Sequence, residues 1–148
     1  MQLTVCSAQE AERFSPTRPT FAVRIFYPLT TDPVLRTYEV PLARSYHWTG
    51  ISEYRFDERG NGLDREVALS MLADFDKYGS QSEQVLVHCL LGRNRSQAVG
   101  RFLVEARPDF FSERERSALT KFRDYSRKVY RILMNSVKPR KRKPSIRG

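Results

Sequence analysis

The short apolar run Val85-Leu86-Val87, opened by Gln84, stops at His88-Cys89-Leu90-Leu91-Gly92-Arg93-Asn94-Arg95-Ser96. Ala98, Val99, Phe102, Leu103 and Ala106 then recur at helical spacing until Pro108 closes the period. A continuous β-branched run reads as a strand buried on both faces of a parallel sheet, and the periodic run as a helix. Strand, glycine-containing turn and helix in this order confine the chain to an α/β fold. The turn falls at the carboxyl edge of a strand, where open α/β sheets place their sites.

The turn has the makings of an anion site. Backbone N–H groups at a helix N-terminus are unpaired and carry the positive end of the helix dipole. The same field favours a thiolate, and cysteines so placed ionise well below the free value of about 8.5. Gly92 lets successive amides converge on one point, which makes the backbone of Leu90, Leu91, Gly92, Arg93, Asn94 and Arg95 the candidate phosphate cradle. Arg95 adds a planar fork of donors matched to two phosphate oxygens. A phosphate held there would present its phosphorus to the Cys89 sulfur. The competing reading, Cys89 as a small buried hydrophobe at a strand end, leaves Gly92 and Arg95 without a role.

His-Cys-x-x-Gly-x-x-Arg-Ser is the signature of the cysteine-dependent protein tyrosine phosphatases, and residues 88–96 match it at every defined position. The chain resembles the compact, dual-specificity members of that superfamily. The resemblance implies a phosphocysteine on Cys89, a phosphate clamp in Arg95 and a hydroxyl at Ser96 that assists breakdown of the phosphoenzyme. It also implies a His88 that orients the loop and helps keep the thiolate. Ser96 fits equally as a helix N-terminal residue satisfying a backbone amide, and His88 as a strand-end histidine with a satisfied ring. Arg93 is a plain surface charge if it faces solvent; facing the pocket, it would recognise a second acidic group on the substrate.

Expulsion of an alkoxide or phenolate needs a proton donor. In the family this is an aspartate on a loop upstream of the cysteine. Here Ile51–Phe56 alternates apolar and polar residues and stops at Asp57-Glu58-Arg59-Gly60-Asn61-Gly62, a turn. Asp57 lies thirty-two positions before Cys89, a spacing like that of the compact enzymes, and is the candidate acid and later base. The tryptophan-proline pair that marks this loop in many members is absent. Glu58 replaces Asp57 if the loop turns differently, and Asp64 reads as the cap of a helix carrying Val67, Ala68, Met71, Leu72 and Phe75.

Length and composition set outer bounds. The 148 residues contain two cysteines and two histidines, too few for a disulfide framework or a protein metal cage, so neither metal nor cofactor is expected. Cys6 is either an inert buried thiol or a resolving partner for an oxidised Cys89. No apolar run approaches a membrane span and no secretory pattern opens the chain, which predicts a cytoplasmic protein. Its brevity is similar to that of the small bacterial or phage members.

The rest of the pattern predicts strands over Gln2–Cys6 and Phe21–Phe26, a short helix over Ser7–Phe14 between them, and a loop over Pro28–Pro41. Helices follow from Asp64 to Tyr78 and from Arg95 through Ala106. One last helix is predicted from Ser112, with Glu115 closing a capping box and Ala118, Leu119, Phe122, Tyr125, Val129 and Leu133 as its apolar stripe. Alternating strands and helices predict a three-layer α/β domain over 1–137, its mostly parallel four-stranded sheet flanked by helices. Tyr46, His47, Trp48 and Tyr54 are candidates for the pocket wall, or for core.

Residues 138–148 hold six basic residues and no acid, and so carry most of the formal net charge of +9. Crowded like charges and two prolines predict a disordered tail. Such a tail fits nucleic acid or another anionic partner, or simply solubilises the chain. For the domain, the leading expectation is a phosphatase of phosphorylated protein, on phosphotyrosine with dual specificity open. Phosphatases of RNA 5′-phosphates (from Asn94-Arg95) or phosphoinositides (from Arg93), and a non-catalytic phosphate- or nucleic-acid-binding module, are the competing classes. No oligomeric state is read from the sequence.

Overall fold

The computed structural model describes residues 1–29 and 32–138. Strands β1 (Gln2–Ser7), β2 (Thr20–Phe26), β3 (Trp48–Arg55) and β4 (Gln84–Cys89) form one sheet in the order β1-β4-β2-β3. Every neighbouring pair is parallel, as the sequence pattern predicts. Each residue of β2 and β4 is buried, because both strands are central and both faces of the sheet are covered. The chain lays β3 outside β2 and then returns to insert β4 between β1 and β2. That reversal opens a crevice at the carboxyl edge beside β4.

Alternate residues divide between two cores. Phe21, Val23, Ile25, Val85 and Val87 pack with Met71, Phe75, Phe102, Leu103, Val129 and Leu133 of α3 (Arg65–Gly79), α4 (Arg95–Ala106) and α6 (Arg127–Val137). On the opposite face Cys6 and Leu86 meet Ala11 of α1 (Ala8–Arg13), with Phe14, Leu42 and Trp48 around them. Asp64 caps α3, accepting from the Val67 amide at 2.9 Å, and is engaged in that role.

Two expectations need correction. The connection over Pro28–Pro41 contains one helical turn, α2 (Pro33–Arg36), started by Asp32 as cap with Pro33 at its first position. The last helix is not continuous: α5 (Glu113–Ser117) passes into a 3-10 turn over Ala118–Lys121, and α6 restarts after an irregular segment. Of the predicted capping box, one half forms: the Ser112 hydroxyl accepts from the Glu115 amide. The interruption has a tertiary cause, since backbone groups of the irregular segment are taken by other parts of the fold. The Ser126 amide donates to the Asn94 carbonyl at 2.9 Å and the Asp124 amide to the Gln97 side chain at 3.2 Å. Apart from Lys138, the basic tail predicted over 138–148 lies outside the described residues. Among those residues no helix is long and apolar enough to cross a membrane.

Candidate active site

β4 delivers Cys89, 3% exposed, to the carboxyl edge of the sheet. The turn that follows bends back at Gly92, whose φ is +72°. A Cβ there would stand 2.5 Å from the Cys6 carbonyl carbon and 2.6 Å from the Ser7 nitrogen, so a side chain is excluded by both conformation and space. The end of β1 supports the same turn, with the Ala8 amide donating to the Leu90 carbonyl at 3.2 Å. α4 starts at Arg95. The helices α1, α2, α3, α5 and α6 are capped by the side chains of Ser7, Asp32, Asp64, Ser112 and Ser126, whereas Asn94 gives α4 no side-chain cap. The uncapped amide end is the one beside Cys89. A helix end left in this way is suited to an anion.

Within this turn the Cys89 Sγ lies 3.0 Å from the Ser96 Oγ, with both side chains buried. Arg95, 1% exposed, donates from Nη1 to the Phe56 carbonyl at 2.9 Å. Its guanidinium stacks on Tyr27, 4.0 Å from the ring centroid, and its Nε is 3.6 Å from a Glu58 carboxylate oxygen. A buried guanidinium carries a desolvation cost that a facing anion offsets. A hollow walled by Ile25, Phe26, Tyr27, Leu35, Tyr38 and Leu90 narrows onto Cys89 and Arg95. Leu91 and Asn94 join Glu58 and Tyr27 around a second, smaller opening to the same two residues.

The two acids after β3 are turned in different directions. The Asp57 carboxylate folds into its own turn and accepts from the Arg59 and Asn61 amides and from the Asn61 side chain. Slight burial works in the opposite sense, but these hydrogen bonds, led by the Asn61 side chain, hold the Asp57 carboxyl below its ordinary value. Glu58 instead faces the cradle, accepting from the Tyr27 hydroxyl at 2.6 Å. Burial, and then that bond, push the Tyr27 phenol up to about 12. The Ser126 hydroxyl donates to the Glu58 carbonyl at 2.9 Å. With its amide on Asn94, Ser126 therefore joins the acidic turn to the cradle.

His88 is fully buried beside Arg24, whose Nε donates to its Nε2 at 2.9 Å. Arg93 is exposed on the cradle and has no ion pair among the described residues. Cys6 pairs in register with His88, and Ser7 with Cys89, so the two thiols leave the sheet on opposite faces. Burial, then Glu10 and Cys89, push the Cys6 thiol up to about 12, which disfavours the thiolate of a resolving cysteine. Among the described residues no group of three or more His, Cys, Asp or Glu stands together to hold a metal ion.

Of the aromatic residues read as pocket wall or core, Tyr54 belongs to the core, Trp48 packs against it, and none of the four lines the hollow. Tyr46 is 92% exposed, Trp48 packs on Phe14 and donates to the Ala43 carbonyl, and Tyr54 donates to Asp74 of α3. Tyr27, Leu35 and Tyr38 take their place. For Tyr27 the signal is its position just past the end of β2, at the edge that carries the site.

The α/β fold, built on a four-stranded parallel sheet, is shared with solved protein tyrosine phosphatase structures. Among solved structures the chain is similar to PTPMT1 (TM-score 0.55, 15% identity, covering 91% of this chain and 88% of that one). It is likewise similar to Tk-PTP in its active form (TM-score 0.53, 18% identity, 92% and 91%). A second PTPMT1 structure, in complex with PI(5)P, aligns at TM-score 0.51 and 14% identity over 91% of this chain and 89% of that one. No protein-family model matches the chain, and no curated protein does.

Proposed function

We propose that the protein hydrolyses phosphomonoesters through a phosphocysteine on Cys89, with phosphotyrosine in proteins as its first substrate and dual specificity open. The supporting observation is the Cys89 Sγ held 3.0 Å from the Ser96 hydroxyl in the turn that buries Arg95. The thiolate attacks phosphorus as the bond to the leaving oxygen breaks, and a carboxyl group gives that oxygen its proton. The amides of residues 90–95 and the Arg95 fork stabilise the charge on the three equatorial oxygens. A water then loses a proton to the carboxylate and attacks phosphorus. The S–P bond breaks while Ser96 donates to the departing sulfur.

Asp57 keeps the proposed role of acid and base on its spacing from Cys89. Acting there requires its carboxylate to leave the Asn61 cap. Glu58 is the competing acid, and its place beside Arg95 speaks for it. Asp57→Asn and Glu58→Gln, assayed on aryl phosphates of rising leaving-group pKa, decide the matter: the acid is the residue whose loss slows poor leaving groups most.

Phosphotyrosine is favoured by the apolar hollow, which suits an aryl ester. A second reading, a phosphoinositide substrate, is favoured by the exposed Arg93 and by fold likeness to PTPMT1, solved with PI(5)P. A panel of phosphopeptides, phosphoinositides and 5′-phosphorylated RNA, run with wild type and Cys89→Ser, tests both. Phosphotyrosine should turn over fastest and Cys89→Ser should abolish it. Retained activity in Cys89→Ser would end the proposal, and inositol lipid or RNA as the best substrate would replace phosphotyrosine.

A further inference from the structure

We propose that Arg24 is a positioning residue of the site: its Nε–H holds His88 as a neutral imidazole with the proton on Nδ1, so that the cradle keeps one charge state across the physiological range. The consequence for turnover rests on the phosphatase reading; the tautomer does not.

The sheet register brings the participants together. Arg24 of β2 pairs with His88 of β4 on one side and with Glu53 of β3 on the other. Residues at one register level point to the same face, so His88, Arg24 and Glu53 form a row leading from beside Cys89 to the sheet edge. Arg24 is 6% exposed, and a guanidinium in such a place must use its donors. Nε donates to His88 Nε2 at 2.9 Å, Nη2 donates to the Val40 carbonyl, and Nη1 is 3.7 Å from the Glu53 carboxylate. The Phe26 ring lies under the guanidinium at 4.8 Å and meets the His88 ring edge-on at 6.0 Å.

A guanidinium has donors and no acceptor. His88 Nε2 must therefore offer a lone pair, and its only proton sits on Nδ1. An imidazolium would set N–H against N–H and one cation against another. The charged and titratable groups around His88 sharpen this. They are Arg24 from β2, Arg95 from α4, Cys6 at the same register level on β1, Cys89 next in its own strand, and Tyr27, Tyr38 and Glu39, which line the same hollow, Glu39 being bonded to Arg55. Burial first, and then the Arg24 charge, push the His88 ring down to about 4. The fixed positive charge behind the cradle is thus a guanidinium, which does not titrate in this range.

The test uses the full chain with His47→Gln, which leaves His88 as the sole histidine of the two. Long-range proton–nitrogen NMR spectra of the 15N-labelled protein from pH 5 to pH 8 should show Nδ1 protonated, Nε2 bare and no titration. A proton on Nε2, or a midpoint above pH 6, overturns the proposal on the unaltered Arg24. In Arg24→Met the midpoint should rise at least one pH unit, tenfold in proton affinity. The pH profile of Cys89 alkylation by iodoacetamide should then gain an ionisation between pH 5 and pH 7. Arg24→Lys, which keeps a charge and an N–H donor, should restore the wild-type profile. An Arg24→Met protein that folds and leaves His88 silent overturns the assignment. Should no phosphomonoester be hydrolysed, the phosphatase reading fails while the tautomer result stands.

Discussion

The Arg95 guanidinium donates to the Phe56 carbonyl at 2.9 Å, tying the first residue of α4 to the last residue before Asp57 and Glu58. One side chain thus sets both the floor of the cradle and the position of the acidic turn. Arg95→Lys keeps a point charge and loses the fork, and the turn loses its anchor. kcat/KM for an aryl phosphate should fall by about 10²–10³, the usual cost of removing a donor from a charge-stabilising site. Steady-state kinetics check this, and a lysine variant keeping a tenth of wild-type activity would show that the fork is not the clamp.

In the proposed reaction, Ser96 would separate the two halves. Its hydroxyl is 3.0 Å from the Cys89 sulfur, where it can donate to a departing thiolate. A hydrogen bond to a charged group contributes about 1.5–3 kcal/mol, so Ser96→Ala should slow phosphoenzyme breakdown about 10- to 100-fold and leave its formation nearly intact. Rapid-quench experiments should show a burst of leaving group and accumulation of phosphorylated protein. Equal slowing of both steps, with no burst, would assign Ser96 to attack instead.

The geometry of the candidate cradle is legible in the sequence because strand, cysteine, glycine, arginine and helix start fall within a few consecutive residues and are fixed by local geometry. The proposed acid is less so. Spacing locates the turn after β3, but which carboxylate faces inward depends on Asn61, which captures Asp57, and on Tyr27 and Arg95, which face Glu58 from distant parts of the chain. The break before α6 is hidden for the same reason. Phe122, Tyr125, Val129 and Leu133 keep helical spacing, while Ser126 gives its amide to Asn94 and its hydroxyl to Glu58. The hollow's wall comes from the connection after β2, and the aromatic cluster at 46–54 points to the wrong segment because proximity to β3 in sequence does not bring its side chains to the crevice.

Lacking a side chain, Gly92 lets the turn after β4 pack directly on the end of β1. In Gly92→Ala the positive φ costs about 1–2 kcal/mol, and the methyl group meets the backbone of Cys6 and Ser7 rather than a movable side chain. Stability should fall by at least that amount, and the affinity for inorganic phosphate should fall about tenfold or more as the amides lose their common focus. Urea unfolding and phosphate titration measure the two effects. A variant as stable as wild type with unchanged phosphate affinity would show that the turn tolerates a side chain.

Acid should weaken the fold before the carboxylates titrate. His88 is pushed down to about 4 by burial and by Arg24, against about 6.5 in an unfolded chain. Between these values the unfolded chain takes up a proton that the folded protein refuses, so the stability is complete above about pH 6.5 and drains as pH falls toward 4. At pH 5 the loss amounts to roughly 2 kcal/mol. Asp57, whose depressed value adds stability that is lost only below its ordinary 3.8, does not act in this window. The raised Cys6 and Tyr27 values act on the alkaline side, where the unfolded chain ionises first. Urea unfolding at pH 7.5 and pH 5.0 should therefore show the difference in wild type and a smaller one in Arg24→Met, where the ring is free to take its proton. Equal stability at the two pH values would mean that His88 binds its proton as readily in the folded protein as in the unfolded chain.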